Sequence, residues 1–180
     1  IEVSKNKNST GQIIYTCPIK ALCNEKYHDM VSFHLKSGSN YTIGLMTGDI
    51  IINPDGDIII MTTEVLYNLM TNTVKEFHPS CVIYDEAHYI NDDGRGHVWE
   101  KCIIYSLTKY DALVVLLSAT IGNLDTLMHW LNSINESKQF RKVVKTQRPV
   151  PLREYVIDKY DLKTKCLPGQ LAWFNKLSLM

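Results

Sequence analysis

Two short strings in this chain carry side chains of the kind that manage a metal-bound phosphate. Asp85-Glu86-Ala87-His88 follows the apolar run Cys81 to Tyr84, and Ser118-Ala119-Thr120 follows the run Val114 to Leu117. Hydrolysis of a nucleoside triphosphate needs one carboxylate to hold Mg2+, usually through its waters, and a second group to orient the attacking water. Asp85 and Glu86 are the candidates for these roles and for the Mg2+ contact, with His88 as a polar link that donates or accepts as its neighbours require. Ser118 and Thr120, flanking the small Ala119, are placed to hydrogen-bond the acidic string and to shift with nucleotide state. Taken alone, each string is equally an ordinary turn that caps a helix. Their separation of 33 residues accommodates one helix and one strand, so both would emerge at one sheet edge.

The elements that must hold these side chains are visible as alternating patterns. Apolar runs at Gln12 to Cys17, Tyr41 to Met46, Asp57 to Met61, Cys81 to Tyr84, Ala112 to Leu117 and Arg141 to Lys145 read as strands covered on both faces. Between them lie helical stripes. Ile19, Leu22, Cys23, Tyr27, Met30 and Val31 form one, opened by Pro18, which suits a first helical turn. Thr62-Thr63-Glu64 offers a capping hydroxyl and a first-turn carboxylate ahead of Val65, Leu66, Leu69 and Met70. Trp99, Cys102, Ile103 and Leu107 form a third stripe, which makes Trp99 a core residue; Leu124, Leu127, Met128 and Leu131 form a fourth. Such alternation predicts right-handed βαβ crossovers and a three-layer α/β/α fold with a mainly parallel sheet. Ligands of open sheets of this kind sit beyond the carboxyl ends of the strands, where the acidic string lies. Asn53-Pro54-Asp55-Gly56-Asp57 and Asp92-Asp93-Gly94 are turn chemistry.

Composition narrows the function without choosing it. The 180 residues, 45% hydrophobic, suffice for one substantial core. Nineteen basic and nineteen acidic side chains cancel, which excludes a surface that attracts polyanions everywhere and leaves room for a local basic groove. Five cysteines without C-x-x-C spacing, most of them inside apolar runs, suit buried thiols in a reducing compartment. No histidine pair has metal-ligand spacing. No run is long enough to span a membrane, and the N-terminus lacks the layout of a signal peptide. The expectation is a soluble intracellular protein without a membrane partner, with nucleus, cytoplasm and a viral compartment all open. Ile1 is not an initiator Met, so the gene product is expected to extend upstream.

The ordered motifs resemble those of the first RecA-like domain of a superfamily-two DExH-box helicase, and more narrowly of the superkiller-type RNA helicases that work with the exosome. The match runs through Tyr15-Thr16-Cys17-Pro18-Ile19-Lys20-Ala21-Leu22, Gly44-Leu45-Met46-Thr47-Gly48-Asp49, Met61-Thr62-Thr63-Glu64-Val65-Leu66 and Asp85-Glu86-Ala87-His88-Tyr89-Ile90-Asn91-Asp92. It continues with Arg95-Gly96, Val98-Trp99-Glu100, Leu117-Ser118-Ala119-Thr120 and Arg148-Pro149-Val150-Pro151-Leu152.

The resemblance implies ATP and Mg2+ as cofactors, with Asp85, Glu86 and His88 in hydrolysis and Ser118, Ala119 and Thr120 in coupling. It implies a path for the RNA backbone along Pro18, Lys20, Ala21, Thr47, Gly48, Thr62, Thr63 and Glu64. Helix N-termini and a lysine are suited to phosphates on physical grounds as well. The implied partners are single-stranded RNA, or a duplex with an overhang, and an exosome-type decay machinery or a viral equivalent. Arg95 and Glu100 match the loop after the acidic motif and are read as bracing it.

One family element is missing. None of the nine glycines is followed by Lys, so no G-x-x-x-x-G-K-[ST] loop is present. Residues 1–157 are therefore read as an N-terminally truncated first RecA-like domain, and 158–180 as the start of a following segment. The isolated chain is expected to be inactive towards ATP, lacking the phosphate loop and a second RecA-like domain. The competing readings are a DNA helicase relative and a non-catalytic RNA-binding or scaffold module.

Overall fold

Short apolar runs rich in Ile and Val pair side by side into one sheet in the computed structural model, which describes residues 11–38, 40–72 and 77–145. The elements in chain order are β1 (Gln12–Cys17), α1 (Lys20–Ser37), β2 (Ile43–Met46), β3 (Ile51–Ile52), β4 (Ile58–Thr62), α2 (Thr63–Thr71) and β5 (Pro79–Tyr84). A 3-10 turn (Ala87–Asn91), α3 (Gly96–Thr108), β6 (Leu113–Leu116) and α4 (Leu124–Ile134) follow. The strand order is β3-β2-β4-β1-β5-β6, parallel throughout except for the antiparallel pair β2 and β3.

Alternation along the central strands sends side chains into two separate cores. Ile14, Ile59, Met61, Val82 and Tyr84 pack with Leu66 and Met70 of α2, Trp99, Cys102, Ile103 and Leu107 of α3, and Leu131 of α4. Tyr15, Cys17, Ile43, Leu45 and Ile60 pack instead with Cys23, Leu22, Tyr27, Met30 and Val31 of α1. The result is the three-layer α/β/α arrangement that the patterns predict, and Trp99 is core, 1% exposed. The stripe on α1 is narrower than it reads: Ile19 is exposed, and of the helix only Cys23 is wholly buried.

The strands depart from expectation in three places. Arg141 to Lys145 is neither strand nor helix, and Val143 is 94% exposed; two valines between cations find no ladder partner among the described residues. In the Tyr41 to Met46 run the strand begins at Ile43: the Thr42 carbonyl still accepts from Ile58 N–H (3.0 Å), but the Thr42 N–H and hydroxyl donate to Asp57 Oδ2 (2.6 and 2.8 Å), and the Asp57 N–H donates to Thr42 Oγ1 (3.0 Å). The third is an addition, since β3 is a strand the patterns did not mark.

Two compact units, Ile1–Phe140 and Arg141–Met180, divide the chain. The Arg148 to Leu152 string, the segment 158–180 and Cys166 lie outside the described residues. Cys17, Cys23, Cys81 and Cys102 are buried free thiols, and burial, then the nearby Glu64 carboxylate, pushes Cys102 up to about 12. No helix among the described residues is long and apolar enough to cross a membrane.

Candidate active site and nucleic-acid interface

Five strands, β1, β2, β4, β5 and β6, run parallel, so the segments that follow them meet at one edge of the sheet. The acidic string leaves β5 there under close control. Asp85 N–H still joins the ladder, donating to Thr16 O (2.9 Å), while Ala87 N–H donates to Leu117 O (2.8 Å) at the end of β6. Between these anchors Glu86 takes a left-handed backbone, φ 54° and ψ 46°, a conformation that costs a non-glycine residue of order 1 kcal/mol and is held by its surroundings. Glu86 N–H donates to Asp85 Oδ1 (3.1 Å), which closes the corner.

Asp85 is oriented by a residue that sequence reading did not single out for the site. Tyr15 on β1 donates its hydroxyl to Asp85 Oδ2 at 2.8 Å. Burial, then this bond and the carboxylate's charge, hold the phenol well above its usual range, so it remains a donor. The parallel register sets Thr16 beside Tyr84 and Tyr15 beside Ile83, so Tyr15 lies two positions behind Asp85 on the neighbouring strand. Its signal was a phenol hydroxyl inside an apolar run, which only strand pairing could interpret.

His88 joins the two strings. Its Nδ1 lies 3.2 Å from Glu86 Oε2 and 3.4 Å from Ser118 Oγ. An Nδ1–H facing both oxygens leaves the Ser118 hydroxyl to donate to Thr120 O (3.3 Å), while Thr120 N–H donates back to Ser118 Oγ (3.3 Å). Thr120 thus enters through its backbone, and Ser118 alone reaches the acidic string by side chain. Ala119 is exposed, and Glu86 and His88 are a little over one third exposed, open to a ligand.

The expected nucleic-acid path occupies the same edge. Helix α1 opens with no capping side chain and no acidic residue in its first turn. Its first backbone bond is Cys23 N–H to Ile19 O (3.2 Å), which leaves earlier amides available to an anion. Lys20 and Ala21 are exposed there, whereas Pro18 is buried. Lys20 Nζ pairs with Asp49 and passes over Gly48, where an added Cβ would lie 3.4 Å from that nitrogen. Thr47 is 6% exposed and its Oγ1 accepts from Ile50 N–H (3.2 Å), a turn-holding role. Thr62 caps α2, its Oγ1 accepting from Val65 N–H (3.4 Å). Thr63 is wholly buried and its hydroxyl has no partner, so only its main chain could approach a phosphate.

Arg95 reaches beyond its own loop. Its Nη1 donates to Pro18 O (3.0 Å) and lies 3.9 Å from Glu64 Oε1, while its Cζ sits 5.0 Å from the centre of the Tyr89 ring. Glu100 is exposed and lines an open cleft with Ile90, Asn91, Ile121 and Trp130.

The sequence profile of the DEAD/DEAH box helicases matches residues 1–127. The chain belongs to this family. It is 39% identical over 158 residues to the ATP-dependent RNA helicase mtr4 of Schizosaccharomyces pombe, covering 86% of this chain and 13% of that protein. It is 36% identical over 155 residues to superkiller complex protein 2 of Mus musculus, covering 84% of this chain and 12% of that one. The chain thus spans about an eighth of the length of these relatives. Its fold is that of the Saccharomyces cerevisiae protein Dbp5 solved with RNA and ADP BeF3, at a TM-score of 0.54 and 19% identity, over 73% of this chain and 33% of that one. The contacts to candidate site residues that sequence reading missed are those of Tyr15 to Asp85 and of Asp49 to Lys20.

Proposed function

We propose that this chain is the part of an ATP-dependent RNA helicase that joins the hydrolytic carboxylates to the RNA path, in a protein working in RNA processing or decay. The observation that supports it most is the convergence at one sheet edge of Asp85 to His88, Ser118 and the uncapped start of α1. The names of the relatives, an ATP-dependent RNA helicase and a superkiller complex protein, support RNA over DNA, and an exosome-type machinery as partner rests on the motif resemblance alone.

The residues present fit Mg2+ and a nucleotide. No Lys or Arg among the described residues pairs with Asp85, and its carboxylate is fixed by Tyr15. No group of three or more His, Cys, Asp or Glu side chains gathers there to hold a metal alone. Mg2+ suits such a site, because it keeps several waters and takes one or two carboxylates together with substrate phosphates. Asp85, and Glu86 through water, would hold it. Bound there, ATP would supply the phosphoryl group and Mg2+ would offset the charge on its oxygens. Glu86 orients the attacking water and accepts its proton, and His88 reports the state of Glu86 to Ser118.

On the RNA side, the first amides of α1 and the Lys20 ammonium hold backbone phosphates. Asp49 stands in for a phosphate on Lys20 when RNA is absent. Removing that competitor in Asp49→Asn is expected to tighten RNA binding by up to about fivefold, because an exposed pair of this kind is worth about 1 kcal/mol at most. Lys20→Ala is expected to weaken binding at every RNA sequence alike. Fluorescence anisotropy at matched salt checks both, and weaker binding by Asp49→Asn would show that Asp49 does not compete.

The function itself is tested on the complete protein by comparing ATP turnover with single-stranded RNA, with single-stranded DNA and with neither. Stimulation by RNA well above that by DNA is expected. Stimulation favouring DNA would make this a DNA-unwinding relative, and RNA binding without turnover would make it a scaffold.

A further inference from the structure

We infer that Arg95 is a positioning residue through which RNA on the α1 and α2 termini is felt at the hydrolytic loop; this rests on the helicase reading above. The base of the side chain belongs to the loop after the acidic string. Asp92 Oδ1 accepts from Gly94 N–H (3.0 Å) and Arg95 N–H (2.8 Å), and Gly96 N–H donates to Asp92 O (2.8 Å). Gly96 lies so close to the 3-10 turn that an added Cβ would sit 2.3 Å from Ile90 O, so the loop and the turn are packed directly against each other. Tyr89 belongs to that turn, directly follows His88, and has its ring 5.0 Å from the imidazole.

The head of the side chain belongs elsewhere. The guanidinium lies against the Tyr89 face, donates to the Pro18 carbonyl just before α1, and faces the Glu64 carboxylate in the first turn of α2. One rigid, permanently charged fork therefore touches both helix starts of the RNA path and the residue beside His88. A phosphate arriving between those starts competes with Glu64 for the fork and shifts its pull on the Pro18 carbonyl. That change reaches Tyr89 through the ring contact, and His88 and Glu86 through the turn. Lysine can reproduce it only in part, because a single ammonium cannot lie flat on Tyr89 while donating to Pro18 and facing Glu64.

Linkage supplies a readout that simple bracing would not move: if RNA and nucleotide are coupled, each changes the affinity of the other by the same factor, commonly about 5- to 150-fold. The test uses the complete protein, oligo-uridine as RNA and a non-hydrolysable ATP analogue with Mg2+. The ratio of oligo-uridine affinities with and without analogue is measured for wild type, Arg95→Ala and Arg95→Lys, beside ATP turnover with and without RNA. In Arg95→Ala the ratio is expected to fall to within about twofold of one, and RNA-stimulated turnover to fall to the RNA-free rate, which itself stays within about twofold of wild type. Arg95→Lys is expected between the two, and it carries the test if Arg95→Ala does not fold. A wild-type ratio retained in Arg95→Lys or Arg95→Ala overturns the inference. So does an RNA-free rate that falls in proportion to the stimulated rate, which is the mark of a brace. A wild type that RNA does not stimulate shows up before any variant is made, and it removes the helicase reading and this inference together.

Discussion

Glu86→Gln in the complete protein is expected to lower ATP turnover by about 10^2- to 10^4-fold, the range of a lost general base, while nucleotide affinity is expected to change by only a few-fold. The size of the loss follows from what the substitution keeps. Glutamine has the same length, takes the same left-handed backbone at the same cost, and still offers an oxygen to His88 Nδ1, which is 3.2 Å from Glu86 Oε2 in the wild type. It cannot accept the proton of the attacking water. The carboxylate of Asp85, held by Tyr15 on the neighbouring strand, is untouched, so the metal and the phosphates should still bind. Turnover is measured at saturating MgATP and affinity by equilibrium titration. A rate within tenfold of wild type would remove Glu86 from the water-orienting role. Asp85→Asn should behave differently, weakening binding of nucleotide with Mg2+ as well as turnover.

The second large effect is on stability. Trp99→Ala is expected to cost about 3–5 kcal/mol, the usual range for emptying a buried Trp site, in a domain whose whole stability is of order 5–15 kcal/mol. Trp99 is 1% exposed and lies between two tyrosines, its ring centre 5.9 Å from that of Tyr84 and 6.1 Å from that of Tyr89. Tyr84 in turn shares a buried hydrogen bond with Ser106 on α3 (2.9 Å). The cavity therefore opens under the last residue of β5 and under the turn that carries His88, so the site loosens as the core does. Trp99→Phe keeps an aromatic ring between the tyrosines and should cost well under half as much. Denaturant midpoints of the three proteins check this, and a Trp99→Ala midpoint equal to wild type would mean that the site collapses without loss.

The layers of the fold, most strands and the identity of the acidic string could be read in the chain because each is a local matter. Ile and Val runs mark strands, Thr62 caps the helix that follows it, and Asp85 to His88 sits where a strand ends. The β3 strand, Ile51–Ile52, was missed for a physical reason. Two residues are too few to show a period, and their pairing with Leu45 and Met46 depends on the turn between the strands, where Thr47 N–H donates to Ile50 O (2.8 Å). Arg141 to Lys145 failed the other way: its pattern fits a strand, but a strand exists only with a neighbour to pair with.

Chemical identity at each position, and the order of the strings along the chain, were enough to name the family and the residues that could hydrolyse a nucleotide. Only folding revealed which of them act on one another. Tyr15 reaches Asp85 across 70 positions and Arg95 reaches Pro18 across 77, distances along the chain that strand register and loop closure abolish. Likewise Thr63, which looks like a surface hydroxyl in the sequence, is buried, and Lys20 is already paired with Asp49. Side-chain chemistry is a property of the residue, whereas partnership and exposure are properties of the packed sheet, because parallel pairing places side by side segments that a whole helix separates along the chain.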